Sequence, residues 1–80
     1  MAVAILLLNA EVGQEDNVLE YLKNKPRISG TIKEAYVVYG TYDVIARLEA
    51  DNMDKLKDSV TKIRRYESVR SSVTLIAYET

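Results

Sequence analysis

From Val3 to Leu8 the chain is apolar at odd and even positions alike, and a run of strand length with that pattern needs cover on both faces. It predicts a central strand. Asn9–Gln14 follows, with Gly13 as a turn residue. Acidic Glu15 and Asp16 then suit the positive end of a helix, and Val18, Leu19 and Leu22 share one helical face. Lys23 and Lys25 stand near the negative end and Pro26 stops the helix, which is placed at Glu15–Asn24.

Polar Arg27–Gly30 leads into β-branched and aromatic residues that alternate from Ile32 to Tyr39, the signature of a second strand. The pattern breaks at Gly40-Thr41 and resumes from Asp43 to Ala50, which predicts a tight hairpin. Along the third strand Ala46, Leu48 and Ala50 share a core side, and Ile45, Arg47 and Glu49 the other. Asn52 fits an N-cap, with Asp54 in the first turn behind it. Met53, Leu56, Val60 and Ile63 recur at helical spacing, so a second helix runs to about Tyr66. Val69 opens a last strand that reaches about Tyr78.

The order is β-α-β-β-α-β. Right-handed crossovers place both helices on one face of a four-stranded antiparallel sheet, an α+β fold of the ferredoxin-like, split β-α-β class. The other face is left bare. Yet Val3, Ile5 and Leu7 are as apolar as Ala4, Leu6 and Leu8, and Val37 and Tyr39 match Tyr36 and Val38. A patch of that size in water is rare on a soluble monomer, so a second subunit is expected to cover it.

Composition narrows the function. Eighty residues make one small domain with a marginal core, and the absence of cysteine removes disulfides and thiolate metal sites as reinforcement. The apolar opening has no Lys or Arg before it and is far short of a bilayer span, so neither leader nor membrane segment is read there. A cytoplasmic location is expected. The net charge of −1 argues against direct nucleic-acid binding and directs attention to proteins or small molecules.

The chain has no histidine, which together with the lack of cysteine removes the usual general base, metal ligand and nucleophile. Glu11, Glu15 and Asp16 fit no cation-binding spacing and read as helix-end charges. No metal or cofactor is expected. The bases from Lys55 to Arg65 are interleaved with Asp54 and Asp58 and followed by Glu67, as on a solvated helix face. Six tyrosines invite comparison with RNA-recognition sheets, but Asp43–Ala50 lacks the glycine and aromatics those modules carry. Tyr39-Gly40-Thr41-Tyr42-Asp43 is the most unusual segment. A carboxylate and free backbone N–H groups at such a tip suit the ammonium and carboxylate of an amino acid, while a plain turn would need only a positive φ at Gly40 and a local bond from Asp43.

Ala35 to Asp43, with its strand followed by Gly-x-aromatic-Asp, resembles the ligand-sensing C-terminal (RAM) domain of the leucine-responsive regulatory protein/AsnC (Lrp/AsnC) family. The likeness continues through Asn52-Met53 and through Val69 to Ile76. It covers the whole chain. Glu67-Ser68 stands where the family commonly has Pro-Gly, the Arg27–Thr31 loop is slightly long, and the chain begins at the sensor's first strand, without the family's DNA-reading helix-turn-helix. The resemblance implies a stand-alone, non-enzymatic, cytoplasmic sensor. It implies dimers made by packing sheets in a dimeric α/β-barrel-like assembly, then an octamer or similar ring of dimers that binds a small amino-acid effector between dimers. Full-length Lrp/AsnC regulators would be further partners. Gly40, Thr41, Tyr42 and Asp43 would hold the ligand's backbone groups, and Met53, Ser72, Thr74, Leu75, Ile76 and Ala77 would complete the pocket from the same or an adjacent subunit. Two alternatives stand beside this reading: a structural adaptor that forms mixed oligomers without a ligand, and a dimeric α/β-barrel enzyme.

Overall fold

A computed structural model of the chain describes residues 1–24 and 31–77. Its elements are β1 (Ala2–Ala10), α1 (Glu15–Asn24), β2 (Ile32–Val37), β3 (Val44–Ala50), α2 (Met53–Arg64) and β4 (Val69–Ala77). All strand pairs are antiparallel and the sheet order is β2-β3-β1-β4, the ferredoxin-like arrangement. Pro26, the Arg27–Gly30 loop and Tyr78 lie outside the described residues.

Alternation along β1 explains the layering. Ala2, Ala4, Leu6, Leu8 and Ala10 are buried, and they meet Val18 and Leu22 of α1 and Leu56, Val60 and Ile63 of α2 in one core. Val3, Ile5, Leu7 and Asn9 point the other way and are half-buried. Both helices therefore lie on one side of the sheet. Tyr21 and Tyr66 stack with ring centroids 4.0 Å apart, and the Tyr21 hydroxyl donates to the Lys62 carbonyl at 3.4 Å, which ties the helices together.

Local signals set the helix ends. Asn52 is extended, and its side-chain oxygen accepts the Lys55 N–H at 2.9 Å, one of the donors a helix start leaves unpaired. α2 stops at Arg64, short of the predicted Tyr66: the Arg65 N–H is shared between the Thr61 and Lys62 carbonyls and the Tyr66 N–H bonds the carbonyl of Ile63, three residues back, so the last turn tightens out of α geometry. Ser68 is buried there: its carbonyl accepts the Glu11 N–H at 2.8 Å and its hydroxyl reaches the Gln14 side chain at 3.4 Å. The α2–β4 connection is thus pinned to the β1–α1 connection.

The strands depart from the pattern in two ways. β2 ends at Val37 rather than Tyr39 and β3 begins at Val44 rather than Asp43, so their connection is a longer loop and not a tight hairpin. The strand ladder ends at the Val37–Val44 pair, and the Val38 N–H closes the loop on the Asp43 carbonyl at 2.8 Å. Register shifts also occur between Ile32 and Glu34 on β2 and at Asn9/Ala10 on β1. Such irregularities re-aim side chains near sheet edges.

Candidate functional site

The loop between β2 and β3 brings Gly40, Thr41, Tyr42 and Asp43 together at one end of the sheet. Gly40 has φ of 132°, a conformation that L side chains rarely adopt, and nothing lies within 4 Å of where a Cβ would stand. Glycine is needed there for its backbone freedom and not for space. Gly40 and Thr41 are exposed, Tyr42 and Asp43 half-buried, and the Tyr39 ring stands free in solvent.

Gly40 has the positive φ and the Asp43 carbonyl the local bond, from the Val38 N–H, that a plain turn needs, but Asp43 reaches outside the loop through its side chain. Its Oδ2 accepts the N–H of Ala10 at 2.9 Å, and its own N–H donates to the Leu8 carbonyl at 2.9 Å. The carboxylate is thereby moored to β1, with a second oxygen to offer a ligand. Asn9, between those two β1 partners, donates through its side-chain amide to the Ser71 hydroxyl at 3.1 Å. Asn9 is the polar residue in an otherwise apolar strand, a signal present in the sequence and passed over.

The remaining candidates divide by register. Ser72 pairs with Leu8 at the same end as the loop. Thr74 and Ile76 pair with Leu6 and Ala4 on the helix side, and Leu75 and Ala77 pair with Ile5 and Val3 on the open face. Met53 begins α2 just after β3 ends at Ala50, and packs against the core. Since β3 carries the chain from Val44 to Ala50 at about 3.3 Å per residue, roughly 20 Å separates the Gly40–Asp43 end from the Met53–Ala77 end. One chain cannot close a single small pocket from all of them. An open cleft of about 320 Å³ lies at the Ala50 end, between Lys33, Glu49, Asp51 and Lys55, and one of about 310 Å³ lies beside Thr61, Arg64 and Arg65; neither includes a residue of the loop.

The open face has an ordered composition. Cross-strand pairing lines up Tyr36, Ile45, Leu7 and Val73 in one row and Arg47, Ile5 and Leu75 in the next. Tyr36, Val73 and Leu75 are exposed in the single chain. Arg47 bonds Glu34 through Nε at 3.2 Å and Nη2 at 3.0 Å, and bonds Glu49 through Nη1. The Glu34 bond, then the Glu49 bond, raise the guanidinium pKa above its ordinary value. Among the described residues no group of three or more His, Cys, Asp or Glu is placed to hold a metal ion, and no helix is long and apolar enough to cross a membrane.

The pattern that defines the Lrp/AsnC ligand binding domain matches residues 4–80. The chain belongs to that family. Among solved structures, this Lrp/AsnC domain is similar to the hypothetical protein PHS023 from Pyrococcus horikoshii, at 37% identity and a TM-score of 0.86, over 100% of this chain and 93% of that one. FFRP-DM1 is similar at 38% identity and a TM-score of 0.86, over 98% of this chain and 100% of its own. AsnC of E. coli shares the fold at 18% identity and a TM-score of 0.80, and the domain spans 52% of its length. No curated protein matches the chain.

Proposed function

We propose that this Lrp/AsnC domain is an oligomeric, non-enzymatic sensor in which a small amino acid binds between protomers and, through full-length Lrp/AsnC regulators, modulates transcription. The observation that carries the reading is the division of the candidate residues between two ends of the sheet, roughly 20 Å apart by strand length. A pocket uniting Gly40–Asp43 with Met53 and the far part of β4 needs the opposite ends of two chains side by side. A ligand bound there favours assembly by RT ln(1 + [L]/Kd), which makes oligomeric state the output. The apolar rows of the open face supply the contact that pairs chains into dimers, and rings of dimers would bring the ends together.

A second reading draws support from the Asp43–Ala10 bond: the loop is a structural clip, and the domain joins mixed oligomers without a ligand of its own. Light scattering coupled to size exclusion, with and without each amino acid, separates the two. A sensor shows a ligand-dependent change in mass and a raised melting temperature with at least one amino acid. An adaptor shows a fixed assembly and no response, and a stable monomer of 9.1 kDa would sink both.

A further inference from the structure

The sheet turns polar at the end that carries the Gly40 to Asp43 loop. Asn9 stands there on β1 with its amide on the Ser71 hydroxyl at 3.1 Å, and the residue before Ser71 on β4 is Arg70. Arg70 owes its place to the register shift. Asn9 pairs with Ser71 but Ala10 pairs with Val69, so Arg70 is the extra residue of a bulge. Without the bulge, alternation from Ser72, the partner of buried Leu8, would turn Arg70 toward the core and Val69 to solvent. With it, Val69 packs against the core and Arg70 is exposed. Among the described residues Arg70 makes no ion pair and no side-chain hydrogen bond, whereas Arg47, Lys55 and Lys62 each hold a carboxylate.

Opposite charges therefore flank the end of β1. Asp43 touches Ala10 from the β3 side at 2.9 Å, with its second oxygen unused, and β4 runs one strand spacing, about 4.8 Å, beyond Ala10 on the other side. We propose that Arg70 is a specificity-determining residue of the amino-acid site: its guanidinium binds the ligand's α-carboxylate while Asp43 binds the α-ammonium group. The inference rests on the sensor reading and adds to it a requirement for the zwitterion. A guanidinium suits the task because its planar fork meets a carboxylate with two parallel hydrogen bonds. Since Arg70 is held by no carboxylate of its own chain, a ligand breaks no ion pair to engage it. The Ser71 hydroxyl, having accepted from Asn9, keeps its own proton for the same carboxylate.

Each of the twenty standard amino acids is titrated into the full chain by calorimetry, and the tightest binder is compared with its own α-carboxamide, which keeps the ammonium group and loses the carboxylate charge. The wild type should prefer the acid by at least about tenfold. Arg70→Gln should weaken the acid roughly ten- to a hundredfold, as expected for a hydrogen bond between charged groups, and leave the amide within about twofold. Its melting temperature without ligand should match the wild type, because an exposed residue without partners carries little of the fold. If Arg70→Gln binds the acid as tightly as the wild type, Arg70 is only a charge on an edge strand, and the inference fails while the sensor reading stands. If the variant weakens acid and amide alike, Arg70 acts through the bulge and not on the carboxylate, and the inference fails again. A wild type that binds no standard amino acid overturns the sensor reading and this inference with it.

Discussion

The carboxylate of Asp43 accepts the backbone N–H of Ala10 at 2.9 Å, across 33 positions of sequence. With the Asp43 N–H on the Leu8 carbonyl, the bond fastens the β2–β3 loop to the end of the central strand, beside the register shift at Asn9/Ala10. The residue proposed to meet a ligand's ammonium group is therefore also a structural clip.

The two roles separate by substitution. Asp43→Ala leaves the part-buried Ala10 N–H without its acceptor and should cost roughly 1–3 kcal/mol in urea denaturation. Asp43→Asn keeps an acceptor oxygen, so it should lose clearly less stability while removing the charge. A charge-assisted hydrogen bond is worth about 1.5–3 kcal/mol, so calorimetry on Asp43→Asn with the best-binding amino acid should show affinity reduced roughly ten- to a hundredfold. Unchanged affinity would mean that the loop is only a loop.

Leu48 is fully buried on β3, opposite Ala4 and within the core that both helices share. Leu48→Ala should destabilise by about 3 kcal/mol, a large part of what a domain of this size holds. Thermal melts should show the loss as a drop of many degrees, and a shift of only a degree or two would contradict the burial.

Asn52→Ala removes the side-chain acceptor of the Lys55 N–H at the start of α2. The expected cost is about 1 kcal/mol, and Asn52→Asp should retain most of the stability because aspartate caps as well. Equal melting temperatures for the alanine and aspartate variants would show that the cap contributes nothing.

Burial, and to a smaller degree the neighbouring Tyr66, raise the Tyr21 pKa above its ordinary 10.0. The folded chain then holds its proton at a pH where the unfolded chain releases it, so the stabilisation is complete below pH 10 and is lost as pH rises through the folded-state value. Tyr21→Phe preserves the ring for the stack on Tyr66 and should flatten the decline in stability above pH 10. Urea titrations at a series of alkaline pH values on both proteins test this, and parallel curves would exclude Tyr21 as the source.

Everything that depends on neighbours in sequence could be read without a structure. The run from Val3 to Leu8 marked the central strand, Glu15–Asn24 emerged with both its ends, and Asn52 declared itself a cap, because periodicity and capping involve groups within a few residues of one another. The bare sheet face was legible too, since a strand with apolar residues on both sides announces that both will be covered. What only the folded chain decided is what distant residues do to each other. The retreat of β2 to Val37 and of β3 to Val44 follows from a loop held by Val38, Asp43, Leu8 and Ala10 together. The spread of the candidate site over both ends of the sheet follows from strand register, and the pairing of Arg47 with Glu34 from a one-residue shift on an edge strand. A strand's side chains alternate whatever lies next to it, so its pattern says which face a residue takes, and only pairing with another strand says which residue it meets.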